Sequence, residues 1–339
     1  MTDESPGELP PIEGVGYLAG ELPAADIRAL ERFGAGSLWT AGHIATGGLD
    51  PEVVTGAARL GVLTERCAIG AAVVLLPLYQ PAVLAKQLAE VDRFTNGRLV
   101  VGVGVGGEFP SEFEACQVPV RERGRRADEA IGALRQLWTG ETVSFRGKFT
   151  AFEDVRICPP PSQRGGPPVI VGGRSDAAWK RAARLGDGWL PFLVSARRYR
   201  EQAERLREEA ETQGRALDGF HWMTEVVVAL GPNLREARHV AMDEMAARDH
   251  PLPEELFDKL CAVGPAEAVA ETLQSYLDAG AEHLVLVATP QRDTVRMAET
   301  IATDVLPRLN SAAAGSLFAA AGRTAAVPVR ATPRPPGQA

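Results

Sequence analysis

The sequence is poor in sulfur, with four cysteines in 339 residues. Cys67, Cys116, Cys158 and Cys261 lie far apart and form no Cys-x-x-Cys pair. That spacing excludes a zinc ribbon or a thioredoxin-like motif. It implies reduced structural thiols and a cytoplasmic protein. The five histidines include no HxxxH or HExxH pair, so no zinc site is expected. Long apolar runs are missing too: none approaches the length of about 18 residues that a membrane span needs. The N-terminal stretch MTDESPGELPPIEG is acidic and proline-rich, and reads as neither signal peptide nor anchor. Positive charge is not in excess. The net charge of −8 argues against nucleic acid or an anionic membrane as a partner.

What is present is a repeating alternation. Short β-branched runs end in glycine and are followed by amphipathic stretches. Gly14 to Ala19 reads as a first strand, and Ala24 to Phe33 as a helix with Ile27, Leu30 and Phe33 on one face. Ser37 to Thr40, Cys67 to Leu76 and Leu99 to Val103 are the next three strands, with helices over Val53 to Leu60 and Gln80 to Thr95 between them. Asn96-Gly97 stops the last of these helices. Four such passes within about 100 residues point to βαβ units and a parallel sheet.

Gly102, Gly104 and Gly107 satisfy GxGxxG, the dinucleotide fingerprint. The motif needs a helix opening at the third glycine, and Glu108-Phe109-Pro110-Ser111 intervenes, so that reading is rejected. A glycine-rich exit from a buried strand at a barrel mouth fits instead.

Beyond it the rhythm breaks. Arg121 to Trp138 is helical, and Gly140 to Pro161 reads as a β-hairpin insertion. Pro168 to Val171, Trp189 to Leu193, His221 to Leu230 and His283 to Ala288 complete eight strands. Ser175 caps a helix over Asp176 to Leu185, which Gly186 closes by a left-handed C-cap. Arg197 to Gln213 is a charged surface helix, and Asn233 to Cys261 a helical insertion. Helices over Pro265 to Ala279 and Arg292 to Leu309 follow. The expected fold is therefore a single α/β domain over residues 1–310, a (β/α)₈ TIM barrel with insertions at about 108–165 and 233–262. An open doubly wound sheet in two domains is the alternative. Residues 311–339 form an Ala/Pro/Arg-rich tail that is expected to be disordered.

In such a barrel the chemistry sits at the C-terminal ends of the strands. His43 follows the second strand, where it serves either as an acid/base and ring contact or as a plain rim residue. Gly104, Gly106 and Glu108 follow the fourth, with Glu108 either facing the mouth or a solvated loop carboxylate. Gly172-Gly173-Arg174-Ser175 follows the fifth, and is either a phosphate cradle at a helix N-terminus or a capped turn. His221 and His283 start strands, at the wrong end. His239 and His250 fall on surface segments.

Taken in order, SLWTAGH, QPAVLAKQLAEVDRFTNGRLVVGVGVGG, LRQLWTGETVSFRGKFT and PPVIVGGRSDAAWKRAARLGDGW resemble the luciferase-like flavin monooxygenases, especially the branch that uses the deazaflavin F420. The resemblance covers about Gly14 to Leu309. It implies a bacterial-luciferase-like barrel that binds F420, or alternatively FMN, at its mouth. It also implies cofactor contacts from Gly172, Gly173 and Ser175, His43 near the ring, and a non-proline cis peptide at Ala72–Val73 behind the ring. Two chemistries fit: F420-dependent hydride transfer to or from a small organic substrate, or oxygen insertion by an FMNH2-dependent monooxygenase supplied by a reductase partner. A flavin-binding barrel without catalysis is a third reading. A homodimer is a family expectation. The resemblance also leads one to expect an acidic residue just before the histidine, where this chain has Gly42. The substrate pocket is expected between the segments Phe109 to Cys116 and Asn233 to Cys261.

Overall fold

The computed structural model describes residues 15–45, 51–247 and 252–309. The expected tail over 311–339 and His250 lie outside the described residues. In chain order the elements are β1 (Gly16–Leu18), α1 (Ala24–Arg32), β2 (Ser37–Thr40), α2 (Val53–Leu63), β3 (Ala68–Leu75), α3 (Pro81–Phe94) and β4 (Leu99–Gly104). Then come α4 (Pro110–Ala115), α5 (Arg123–Leu137), β5 (Val143–Arg146), β6 (Ala151–Val155), β7 (Val169–Gly172), α6 (Asp176–Leu185), β8 (Gly188–Leu190), α7 (Ala196–Thr212) and β9 (His221–Leu230). The chain continues through α8 (Leu234–Ala247), α9 (Glu254–Leu260), β10 (Cys261–Gly264), α10 (Ala266–Asp278), β11 (His283–Ala288) and α11 (Thr294–Thr300).

Eight strands pair in parallel in the order β9-β11-β1-β2-β3-β4-β7-β8, and β8 returns to β9. The sheet is closed, so the (β/α)₈ expectation holds and the open doubly wound sheet falls. Closure explains the near-continuous apolar strands, since each is covered on both faces. The inner face carries Trp39, Ala68, Val100, Ile170, Leu190, Met223 and Val285 as one cluster. The outer face packs on the helices through residues such as Val101, Val171, Val226 and Leu286. Trp39 fills the centre because Gly70 leaves room: a Cβ there would lie 2.0 Å from the indole.

Several local expectations need correction. Phe33 is the C-cap of α1 and stands 38% exposed, so the apolar face of that helix is Ile27, Ala29 and Leu30. Gly186 is extended (φ −89°, ψ 156°), not left-handed. Space selects it, since a Cβ would lie 2.9 Å from Val171 Cγ2 and from the Gly188 carbonyl. The segment read as one helical insertion ends in a strand. β10 pairs in parallel with Val227–Leu230 of β9, while β8 pairs with the start of β9. Helix α5 packs on α3 and α6 as a barrel helix, and the β5–β6 hairpin stands apart as its own sheet. The last helix is broken, passing into a π turn over Ile301–Val305. Among the described residues, no helix is long and apolar enough to cross a membrane.

The N-terminal ends of the strands are tied by polar groups with their partners in place. Arg98 is buried and donates five hydrogen bonds, to the Gly61, Thr64, Cys67 and Thr95 carbonyls and to Thr64 Oγ1. It thereby links the C-terminal ends of α2 and α3 to the chain entering β3. His283 Nε2 meets Ser37 Oγ at 2.7 Å, and Trp39 Nε1 donates to the same hydroxyl.

Candidate active site at the barrel mouth

At the other end, β3 carries a bulge. Its pairing with β4 slips between Ala71 and Val74, and the Ala72–Val73 peptide is cis, as the family resemblance implies. Ala72 and Val73 are partly exposed there. The glycines of neighbouring strands make room for the bulge. A Cβ at Gly104 would lie 2.5 Å from Val73 Cγ2, one at Gly172 2.8 Å from Val73 Cγ1, and one at Gly102 2.0 Å from the Ala71 carbonyl. So the first two glycines of the GxGxxG-like spacing make room for the bulge, while Gly107 lies against Arg123. Gly106 and Gly107 turn the chain away at positive φ (60° and 109°), which a side chain would resist.

That turn leads into α4, started by Pro110. The short helix leans over β3 and meets the loop after β2. Glu112 is fully buried, and both its carboxylate oxygens lie 3.2 Å from His43 Nδ1. It also accepts from the backbone N–H of Ile44 at 2.6 Å and of Ala45 at 3.4 Å. The Phe109 ring meets the His43 ring edge-on at 4.9 Å. A carboxylate only accepts, so Nδ1 carries the proton and Nε2 is the basic nitrogen. The histidine is thereby fixed in tautomer and orientation, with its side chain 22% exposed.

The carboxylate–histidine pair missing from the sequence at Gly42 is therefore supplied by Glu112. Gly42 itself has no room for a side chain, because a Cβ would lie 2.5 Å from the Pro51 carbonyl and 2.8 Å from the Val53 nitrogen. Glu108 stands exposed on the loop, four residues before the carboxylate that touches His43.

Across the mouth, Gly172-Gly173-Arg174-Ser175 forms the turn from β7 into α6. Ser175 caps the helix, accepting from Ala178 N at 3.3 Å. The N–H of Gly173 points to the Leu190 carbonyl at 3.4 Å, and Arg174 donates to the Phe192 carbonyl. Gly173 to Asp176 are exposed. The helix N-terminus and the Arg174 cation are thus available to an anionic group, while Asp176 in the first turn opposes one.

The site also contains a residue that sequence reasoning passed over. Glu225 shares the inward face of β9 with Met223, which belongs to the lumen cluster. Thr224 and Val226 flank it on the other face. Its signal was present: one acid inside the ten-residue run HWMTEVVVAL, which otherwise reads as a buried strand. Burial pushes its carboxyl up from the usual 4.5 to about 8. Elsewhere His221 and His283 sit at the N-terminal strand ends as expected, and His239 is exposed beside Asp243.

A family profile described as luciferase-like monooxygenase matches residues 24–252. The chain belongs to the luciferase-like monooxygenase family. Members of that family are F420- or FMN-dependent oxidoreductases and monooxygenases. An FMNH2-dependent dimethylsulfone monooxygenase of Pseudomonas putida is 38% identical over 169 residues, which are 49% of this chain and 46% of that protein. The chain thus spans about half the length of that relative. An F420-dependent glucose-6-phosphate dehydrogenase of Mycobacterium tuberculosis is 32% identical over 292 residues, 78% of this chain and 85% of that protein. Among solved luciferase-like folds, an F420-dependent secondary alcohol dehydrogenase in complex with an F420-acetone adduct superposes with a TM-score of 0.77 at 17% identity, covering 88% of this chain and 99% of that one.

Proposed function

We propose that the protein is an F420-dependent oxidoreductase that transfers hydride between the deazaflavin and a small organic substrate. The observation that carries this reading is His43, held by buried Glu112 at the lip of the mouth beside the β3 bulge. Oxidising an alcohol, or reducing a carbonyl, moves one hydride and one proton. F420, when bound, exchanges the hydride. The protein must handle the proton, and His43 Nε2 is the group placed for it: it accepts the alcohol proton in oxidation and returns it in reduction.

The mouth fits such a cofactor. Ala72 and Val73 offer a partly exposed apolar surface for a flat ring. Gly104 and Gly106 line the exit beside it without side chains. Gly173, Arg174 and Ser175 present a helix N-terminus and a cation toward an anionic tail. Similarity to the F420-dependent dehydrogenase over 78% of the chain favours F420.

The second reading is an FMNH2-dependent monooxygenase with a separate reductase, favoured by the higher identity of the dimethylsulfone enzyme over its shorter match. A cytoplasmic homodimer is part of the same proposal.

The test is a fluorescence titration of the full chain with oxidised F420 and, separately, FMN. Low-micromolar F420 binding, with FMN at least about tenfold weaker, supports hydride transfer. FMN preference moves the assignment to the monooxygenase, and binding of neither overturns it. With a turned-over substrate, His43→Ala should lower kcat by roughly 100-fold or more. Glu112→Gln should lower kcat less, while F420 affinity holds.

A further inference from the structure

We infer that Glu225 is the polar anchor of the substrate pocket, a carboxyl that holds a neutral molecule through a hydrogen-bond-accepting oxygen and turns anions away. This rests on the reading of the mouth as an oxidoreductase site and names the substrate class.

Placement comes first. In the closed strand order β9 lies opposite β3, so Glu225 faces the Ala72–Val73 bulge across the lumen. It is the last inward position of β9 below the cap. The next two inward residues, Val227 and Ala229, are buried in an apolar cluster with Ala237, Ala241 and Met245 of α8 and Phe257 of α9. Glu225 therefore lies on the lumen side of β9, directly below the apolar cluster that the strand makes with helices α8 and α9.

The second observation is the absence of any partner. Among the described residues, no hydrogen bond or ion pair reaches the Glu225 carboxyl. It nevertheless keeps partial exposure toward the lumen. A buried acid without a structural partner costs free energy, and its retention points to a ligand that completes it.

The surrounding charges decide which ligand. β8 and β10 contribute no charged side chain beside it. His221 lies four residues down the same face, and His283 on β11 is bonded to Ser37. Arg174, exposed on the turn after β7, donates to the Phe192 carbonyl and faces the cofactor side of the mouth. On α8, Arg238 is paired with Glu254 and Asp258, and Glu244 accepts from Gln291 N. Helix α10 packs on the outer side of the sheet, away from the lumen. None of these perturbs Glu225, and burial alone raises its pKa to about 8. At neutral pH the group is then a neutral acid that donates one hydrogen bond and accepts another. A carbonyl, sulfonyl or hydroxyl oxygen matches it. A phosphate or carboxylate would face a carboxylate once Glu225 ionised.

The test uses the full chain saturated with F420, or with FMN if only FMN binds. Ligand-observed NMR gives dissociation constants for acetone and dimethyl sulfone as neutral probes, glucose 6-phosphate as the anion and trimethylammonium as the cation. Each is measured at pH 6.5 and 9.0, for wild type and Glu225→Gln. Both neutral probes should weaken about tenfold between the two pH values in wild type, following the protonated fraction of Glu225, and should not change in E225Q. Glucose 6-phosphate should bind wild type more weakly than either neutral probe. The proposal is overturned by pH-independent binding in wild type, by no binding of the neutral probes at pH 6.5, by tight glucose 6-phosphate binding, or by trimethylammonium binding that strengthens with pH. Failure of the cofactor reading is separate. It appears as no binding of either cofactor, and the same probe panel on the cofactor-free chain still reports on Glu225.

Discussion

Arg98 and Glu225 are both ionisable side chains inside one barrel, and they are treated in opposite ways. Arg98, at the N-terminal end, spends its guanidinium on five protein acceptors and closes that end. Glu225, at the C-terminal end, has no acceptor or donor arranged for it among the described residues and is pushed toward neutrality. The polar chemistry of one end is finished within the chain. That of the other is left for ligands. The same division separates His283, bonded to Ser37 below, from His43, whose Nδ1 is fixed by Glu112 while Nε2 has no hydrogen-bond partner among the described residues. A barrel can afford an incomplete mouth because its closed base supplies the stability.

The sharpest way to break this comparison is at the base. Arg98→Ala strands four buried carbonyls and should cost about 3–5 kcal/mol, read from urea unfolding, the largest effect of any substitution proposed here. At the mouth the sign reverses. Glu225 has a folded pKa raised above its unfolded value, so the native state is fully stable below about pH 4.5 and loses stability as pH rises toward and through about 8. Glu225→Gln removes that loss. It should stabilise the protein at pH 7 by up to roughly 3 kcal/mol and make no difference at pH 4. Gly104→Ala presses a methyl on Val73 and should cost about 1–3 kcal/mol, with part of the loss recovered in the Gly104→Ala/Val73→Ala pair. Ser175→Ala removes the α6 cap and should cost about 1 kcal/mol by thermal unfolding, the smallest effect of the four.

How much of this was legible in the sequence follows from the range of the interactions. Strand and helix positions were readable because buried β-branched runs, Asn96-Gly97 and the proline at the start of α3 act locally. The left-handed Asn96 and Gly97 (φ 56° and 76°) are the stop signal seen in the sequence. Strand β10 was not readable. CAVG follows a helix directly and is a strand only because β9 runs past the end of β8 and offers it an edge. The packing role of the glycines was not readable: Gly104 and Gly172 leave room for a bulge on a third strand. Glu112 was out of reach, since its contact with His43 joins loops from strands that are not neighbours. Glu225 could have been found, because an acid in the middle of a strand buried on both faces is an exception that calls for a reason.

The most direct test of the division between a finished base and an open mouth is hydrogen–deuterium exchange of the full chain with and without saturating F420. The account predicts added protection at Ala72 to Leu75, Gly104 to Phe109 and Gly172 to Ser175, with Leu60 to Cys67 and Thr95 to Leu99 at the base unchanged. Protection spread over the base, or none at the mouth despite saturation, would contradict it.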